Sequence, residues 1–194
     1  LCKQLVSEDN CFCYMGSRSV EKGNAAIADI LKQFPQHKDN IRLVQCDTSA
    51  PASIAEAARQ VKEHLGDKKL HAIVNNAGVM RVDADTLIKT NIYGPKWMTD
   101  AFIDMIDSSS GRIVNVSSGI GPSYVGKRPK EDAAFWINTE VTWDQIEARI
   151  KSDAKKEEGF GLYGFSKACL NLLTLATVKT HPHILSSCVS PGYV

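Results

Sequence analysis

Residues 41–74, IRLVQCDTSAPASIAEAARQVKEHLGDKKLHAIV, hold a short apolar run, a longer segment and a second apolar run. Ile41 to Cys46 and Leu70 to Val74 have the length and composition of buried strands, whereas SIAEAARQVKEHL returns its apolar side chains at helical spacing. The same alternation continues in both directions. Upstream, a helical tail (Leu1 to Glu8) precedes CFCYM at Cys11 to Met15, and an amphipathic stretch runs near Glu21 to Phe34. Downstream come a long helical pattern from about Asp85 to Ile106, RIVNV at Arg112 to Val116, a helix beginning in GFGLYGFSKACLNLL at 159–173, and ILSSCV at Ile184 to Val189. Short apolar runs separated by helices are the pattern of a parallel sheet covered on both faces, so the expected fold is α/β and doubly wound.

The chain has 194 residues, 43% hydrophobic, enough for one domain with a sizeable core and short for two. Its 23 basic and 22 acidic residues are interspersed and leave a net charge of +1, which argues against nucleic acid or an anionic membrane as partner. There is no apolar run of membrane-spanning length and no secretory pattern at Leu1, so a cytoplasmic protein is expected. Six cysteines lie without a C-x-x-C pair or a cysteine-histidine cluster, which points to free thiols in a reducing compartment and to no structural metal. Cys11 and Cys13 are expected on one face of a strand.

In a doubly wound sheet, ligands collect beyond the carboxyl ends of the strands. Those exits read GSRS (16–19), DTS (47–49), NNAG (75–78), SSG (117–119) and SPGYV (190–194), all small or polar. At the mouth of what reads as a buried helix, Tyr163 and Lys167 stand four residues apart, on one helix face. An ammonium beside a phenol favours the phenolate, which suits a proton donor to a carbonyl oxygen. Ser117 and Ser118 end an apolar strand, where a hydroxyl can bond a substrate oxygen. Asn91 falls inside the long helical pattern beside Gly94 and Pro95, which disfavour regular helical bonding there and would free carbonyls for an ordered water. Between about 119 and 160 the alternation is interrupted. TWDQIEARIKSDAKKEEG (142–159) reads as one surface-packed helix, with capping-box spacing at Thr142 and Gln145 and a stripe of Trp143, Ile146 and Ile150. The rest of this insertion, Trp136 included, is expected to border a pocket.

Taken in order, NNAG, TNIYG, IVNVSS, YGFSK and SPGYV resemble the short-chain dehydrogenase/reductase family over nearly the whole chain. The insertion, with GSRSVEKG at 16–23, is most similar to its monomeric carbonyl-reductase branch. The resemblance implies a catalytic set of Asn91, Ser118, Tyr163 and Lys167. Tyr163 would be the general acid, Lys167 would lower its pKa and hold the nicotinamide ribose, Ser118 would polarise the carbonyl, and Asn91 would hold a relay water. Ser118 is preferred to Ser117 because the family uses the second serine of the pair. The implied reaction is reduction of a small-molecule ketone or aldehyde by a monomer, with hydride from the cofactor.

NAD-preferring Rossmann proteins place a carboxylate at the end of the second strand. Ser17 and Arg18 stand there instead; Arg18 can fork onto a 2′-phosphate and Lys22 adds charge, so NADPH is the expected cofactor. By resemblance, Asp47 and Thr48 border the adenine, Asn76, Ala77 and Gly78 the adenosine ribose and backbone, and Pro191, Gly192 and Val194 the nicotinamide. The family's opening strand and T-G-x-x-x-G-x-G turn, which bind pyrophosphate, do not occur in the 194 residues. That strand lies in the family between those assigned to Cys11–Met15 and Leu70–Val74, so two apolar strands should face a gap. A single incomplete Rossmann-type domain over 1–194, lacking the first and last strands, is therefore expected. The competing reading is a catalytically silent scaffold that binds a partner.

Overall fold

The computed structural model describes residues 1–9 and 11–192, which divide into two compact units, 1–67 and 68–192. The fold is α/β and Rossmann-like, with every strand pair parallel. In the first unit, α1 (Cys2–Ser7), β1 (Cys13–Ser17), α2 (Val20–Gln33), β2 (Ile41–Gln45) and α3 (Pro51–Leu65) follow in order. β1 and β2 pair from Cys13 opposite Ile41 to Ser17 opposite Gln45, and Cys46 N donates to Ser17 O at 3.0 Å beyond them. The strand thus starts and ends two residues later than its apolar run suggests. Cys11 and Phe12 are exposed, and Cys11 does not share a strand face with Cys13. Cys13 packs with Val6, Ile41 and the Ile27–Leu31 side of α2, and burial pushes its thiol up to about 11. Ser19 caps α2 by accepting from Lys22 N, and Pro51 opens α3, where a missing N–H costs nothing.

The second unit contains β3 (Ala72–Asn75), α4 (Ala84–Ile88), α5 (Gly94–Phe102), β4 (Arg112–Val116), α6 (Ile120–Val125), α7 (Lys130–Trp136), α8 (Trp143–Asp153), α9 (Gly159–Thr180) and β5 (Leu185–Val189). Its sheet runs β3-β4-β5. Among the described residues β1 pairs only with β2 and β3 only with β4, which is the pair of open edges expected from the sequence. Leu70 and Ile106 form a separate parallel bridge, so the apolar run beginning at Leu70 is interrupted before β3. One sheet face is deeply buried: Ile73, Asn75, Ile113 and Asn115 point from it toward the helical layer, whereas Val114 and Val116 on the reverse are partly exposed. A polar chain crosses the buried face. Asn75 and Asn115 are register partners, Asn75 Nδ2 donates to Asn115 Oδ1 at 2.8 Å, and Asn115 Nδ2 donates to Thr174 Oγ1 at 2.9 Å. Each amide is paired, so the burial is tolerated and β3, β4 and α9 are locked in one register.

The 22-residue α9 forms the centre of this core, with Phe165, Cys169 and Leu172 fully buried. α6 lies close against it because two glycines permit contact. A Cβ on Gly121 would meet the Lys167 carbonyl carbon at 3.0 Å and Ala168 N at 3.1 Å, and one on Gly164 would meet Tyr124 Cβ at 3.0 Å. The insertion helix α8 carries the expected capping box and buries Ile146 and Ile150. It stops at Asp153 and tightens into a 3-10 turn, Ala154–Lys156, rather than continuing to 159. Trp136 is in the core, edge-on to Tyr124 and Phe165 at 5.6 and 5.7 Å, rather than bordering a pocket.

Gly121→Ala should lower unfolding free energy by about 1–3 kcal/mol in urea titrations, because backbone atoms cannot yield to the added methyl. Gly119→Ala, where nothing lies within 4 Å, should change it by less than about 0.5 kcal/mol. Asn115→Ala leaves the Asn75 amide without its acceptor and should cost about 1–3 kcal/mol.

Candidate active site

The expected break in the long helix falls at Asn91. Lys89–Tyr93 forms a π-turn between α4 and α5, with Gly94 N bonded back to Lys89 O. Pro95 supplies the reason, since it has no N–H for the Asn91 carbonyl and the α-helical ladder cannot pass. The turn directs the fully buried Asn91 side chain toward the segment leaving β3. Its Oδ1 accepts from Val79 N at 2.8 Å, and its Nδ2 donates to Val79 O at 2.9 Å and to Ser166 Oγ at 3.1 Å. One amide therefore pins the loop beyond NNAG to α9.

Lys167 and Tyr163 occupy successive turns of α9, with Lys167 Nζ 5.6 Å from the centre of the Tyr163 ring. Lys167 is 4% exposed, and its Nζ donates to Val116 O, at the end of β4, at 2.9 Å. Burial holds the amine down at about 8. Its remaining donors have no protein partner among the described residues. The space before it is open, because position 78 is glycine: a Cβ there would lie 3.5 Å from Lys167 Nζ and 3.6 Å from Asn91 Oδ1. Tyr163 is partly exposed, and its hydroxyl meets no described protein group.

The two serines at the end of β4 differ sharply. Ser117 is buried, and its hydroxyl donates to Asn171 Oδ1 at 2.6 Å, so it serves the α9 contact. Ser118 is partly exposed, and its Oγ accepts from Ile120 N at 3.2 Å, which leaves its proton free to point outward. Asn76, Ala77 and Gly78 are exposed after β3, and Pro191 and Gly192 after β5, with Gly192 at φ +82°. Gly119 N donates to Ser190 Oγ at 3.2 Å, which links the exits of β4 and β5. Val194 lies outside the described residues.

In the first unit, Arg18 and Asp47 follow the paired ends of β1 and β2. Asp47 accepts from Ser49 Oγ at 2.6 Å and from Ser49 N at 2.9 Å. The Ser49 bonds, chiefly the hydroxyl, and the Arg18 charge hold its carboxyl below the usual range against the effect of burial. Arg18 and Lys22 are exposed, and Thr48 is partly buried.

Ser166 and the Asn75–Asn115–Thr174 chain, which support the site, escaped the sequence reading. Their signal was present: an asparagine at an alternating inward position in each of two neighbouring strands breaks an apolar pattern and requires a partner.

Comparison with known proteins gives the same assignment. A family model described as short chain dehydrogenase matches residues 1–129. The chain is 32% identical to (+)-neomenthol dehydrogenase of Arabidopsis thaliana, in an alignment covering all of this chain and 78% of that one. Menthone neomenthol reductase from Mentha piperita superposes with a TM-score of 0.85 at 26% identity, over 98% of this chain and 84% of that one. A metagenomic short-chain oxidoreductase solved in complex with NADP gives a TM-score of 0.61 at 26% identity, over 92% of this chain and 70% of that one. Motif order, parallel topology and sequence identity converge: the chain belongs to the short-chain dehydrogenase family of oxidoreductases.

Proposed function

We propose that the chain's activity is NADPH-dependent reduction of a ketone or aldehyde, with Tyr163 delivering the proton. The observation that carries this reading is the buried Lys167 ammonium beside the Tyr163 ring, with one donor spent on Val116 O and others free. A buried cation with spare donors facing an open glycine suits the two hydroxyls of a nicotinamide ribose. Bound NADPH supplies hydride to the carbonyl carbon.

The protein's own groups manage the oxygen. Ser118 has a free hydroxyl proton to polarise the carbonyl, and the phenol of Tyr163 gives its proton to the oxygen as negative charge develops there. Lys167 stabilises the resulting phenolate. The Asn91 carbonyl, which Pro95 cannot satisfy, is the acceptor that would hold a relay water to restore the proton.

Arg18 and Lys22 are the groups for a 2′-phosphate, Asp47 and Thr48 for the adenine side, Asn76 to Gly78 for the adenosine ribose, and Pro191 and Gly192 for the nicotinamide. The NADP reported for a structural relative fits this charge arrangement. A monomer is favoured because α8 already covers part of the helical surface: Trp143 stands edge-on to Tyr93 at 5.7 Å and lies 5.4 Å from Lys96 Nζ. Free cysteines, Cys11 and Cys188 among them exposed, fit the cytoplasm.

NADPH titration followed by nicotinamide fluorescence should show saturable binding, weakened by Arg18→Glu, once a strand and glycine-rich pyrophosphate turn are grafted ahead of Leu1. Absence of binding would favour the catalytically silent scaffold. Tyr163→Phe should keep NADPH binding and lower kcat/KM for a carbonyl roughly 10²–10⁴-fold; retained turnover would remove Tyr163 from the chemistry. Lys167 makes a separate pH prediction. Its amine titrates at about 8 when folded, against an ordinary 10.5, so between those values the unfolded chain binds more protons and stability rises with pH. Lys167→Met should therefore melt higher than wild type at pH 7, and the difference should vanish toward pH 10.

A further inference from the structure

A cavity of about 250 Å³ lies between the segment leaving β3 and the first turn of α9. Met80, Val82, Leu87, Phe160 and Leu162 give it apolar walls. Three of these are large side chains left open to solvent: Met80 at 41%, Val82 at 42% and Phe160 at 63% exposure. Apolar groups exposed around one concavity mark a ligand site more than a surface face.

Two connections join this cavity to the reacting groups. Gly159 and Phe160 precede Tyr163 by four and three residues on α9, so they share its face one turn away. Met80 follows Val79, whose backbone N–H and C=O are both held by the Asn91 amide. Arg81 sits between the two wall residues at φ +61°, the left-handed region that an arginine enters at a cost. That turn lets Met80 and Val82, two residues apart, line the same cavity before Asp83 caps α4. Backbone strain of this kind persists where a site depends on it.

We propose that the Met80–Val82 turn and Phe160 are the specificity wall of the substrate pocket, and that they select a compact, neutral, apolar ketone about the size of one substituted ring. This deepens the reductase reading and rests on it. The size follows from the volume, which is below the roughly 300–1,000 Å³ that drug-sized ligands occupy. At about 30 Å³ for a water-sized group, it admits on the order of eight such groups. Neutrality follows from the walls: Met80, Val82, Leu87, Phe160 and Leu162 are apolar, no carboxylate or amide side chain lines the cavity among the described residues, and Arg81 is the single charged group there.

The test is ligand-observed NMR on the full chain without nucleotide, with cyclohexanone, its ring-carboxylate analogue and a four-ring steroid ketone as probes. Cyclohexanone should bind in preference to both others. Val82→Trp, which fills the cavity from an exposed position, should weaken cyclohexanone about tenfold or more while leaving the melting temperature unchanged. Phe160→Ala should open the wall and let the steroid ketone bind. Failure of cyclohexanone to bind, equal binding to Val82→Trp, or tighter binding of the carboxylate overturns the proposal. NADPH binding without ketone binding would sink this inference alone, and ketone binding without NADPH binding would sink the reductase reading alone.

Discussion

A lysine ammonium with 4% of its surface exposed is held at the end of a parallel strand by a single backbone carbonyl, Val116 O. Burying such a charge without a carboxylate is unfavourable, and here it draws the amine down to about 8. The neighbouring structure makes that position unavoidable. Lys167 sits mid-way along a helix whose other faces are filled by Phe165, Cys169 and Leu172, and α6 presses on it at Gly121 and Gly164 with no room to relax. The Asn75–Asn115–Thr174 chain fixes the same helix against β3 and β4. Packing therefore enforces a charge that stability alone would reject, which is the usual mark of a site kept for chemistry.

The π-turn at Lys89–Tyr93 serves the same end from the other side. A regular helix would keep the Asn91 side chain on its own ladder face and its carbonyl bonded. Pro95 removes the donor that an α-helix would offer the Asn91 carbonyl, the helix widens, and the side-chain amide clamps Val79. One local defect thereby orders the NNAG exit, anchors α9 through Ser166 and fixes one wall of the apolar cavity. In the first unit the rim is simpler, with Arg18 and Asp47 following two paired strand ends and Asp47 ordered by the Ser49 turn.

Much of this was legible from residue types. Strand and helix alternation marked every strand, and the capping box located the start of α8 to the residue. The Gly94-Pro95 pair marked the break at Asn91 because a missing N–H is a covalent fact. Strand limits were less legible, since hydropathy near Cys11 does not reveal which residues find a partner; backbone pairing decided that β1 begins at Cys13. The polar insertion around Trp136 points to a pocket border, whereas Tyr124 and Phe165 enclose it in the core. The different roles of Ser117 and Ser118 depended on Asn171, which no local pattern connects to them.

The central claim is that Tyr163 and Lys167 complete a hydride transfer to a carbonyl. The most direct measurement supplies NADPH deuterated at the transferable position together with cyclohexanone, and follows deuterium in the product by mass spectrometry. The account predicts cyclohexanol carrying deuterium on the former carbonyl carbon, formed by the wild-type chain and not by Tyr163→Phe. Unlabelled alcohol, equal labelling by the phenylalanine variant, or no alcohol from a chain with NADPH bound would contradict it.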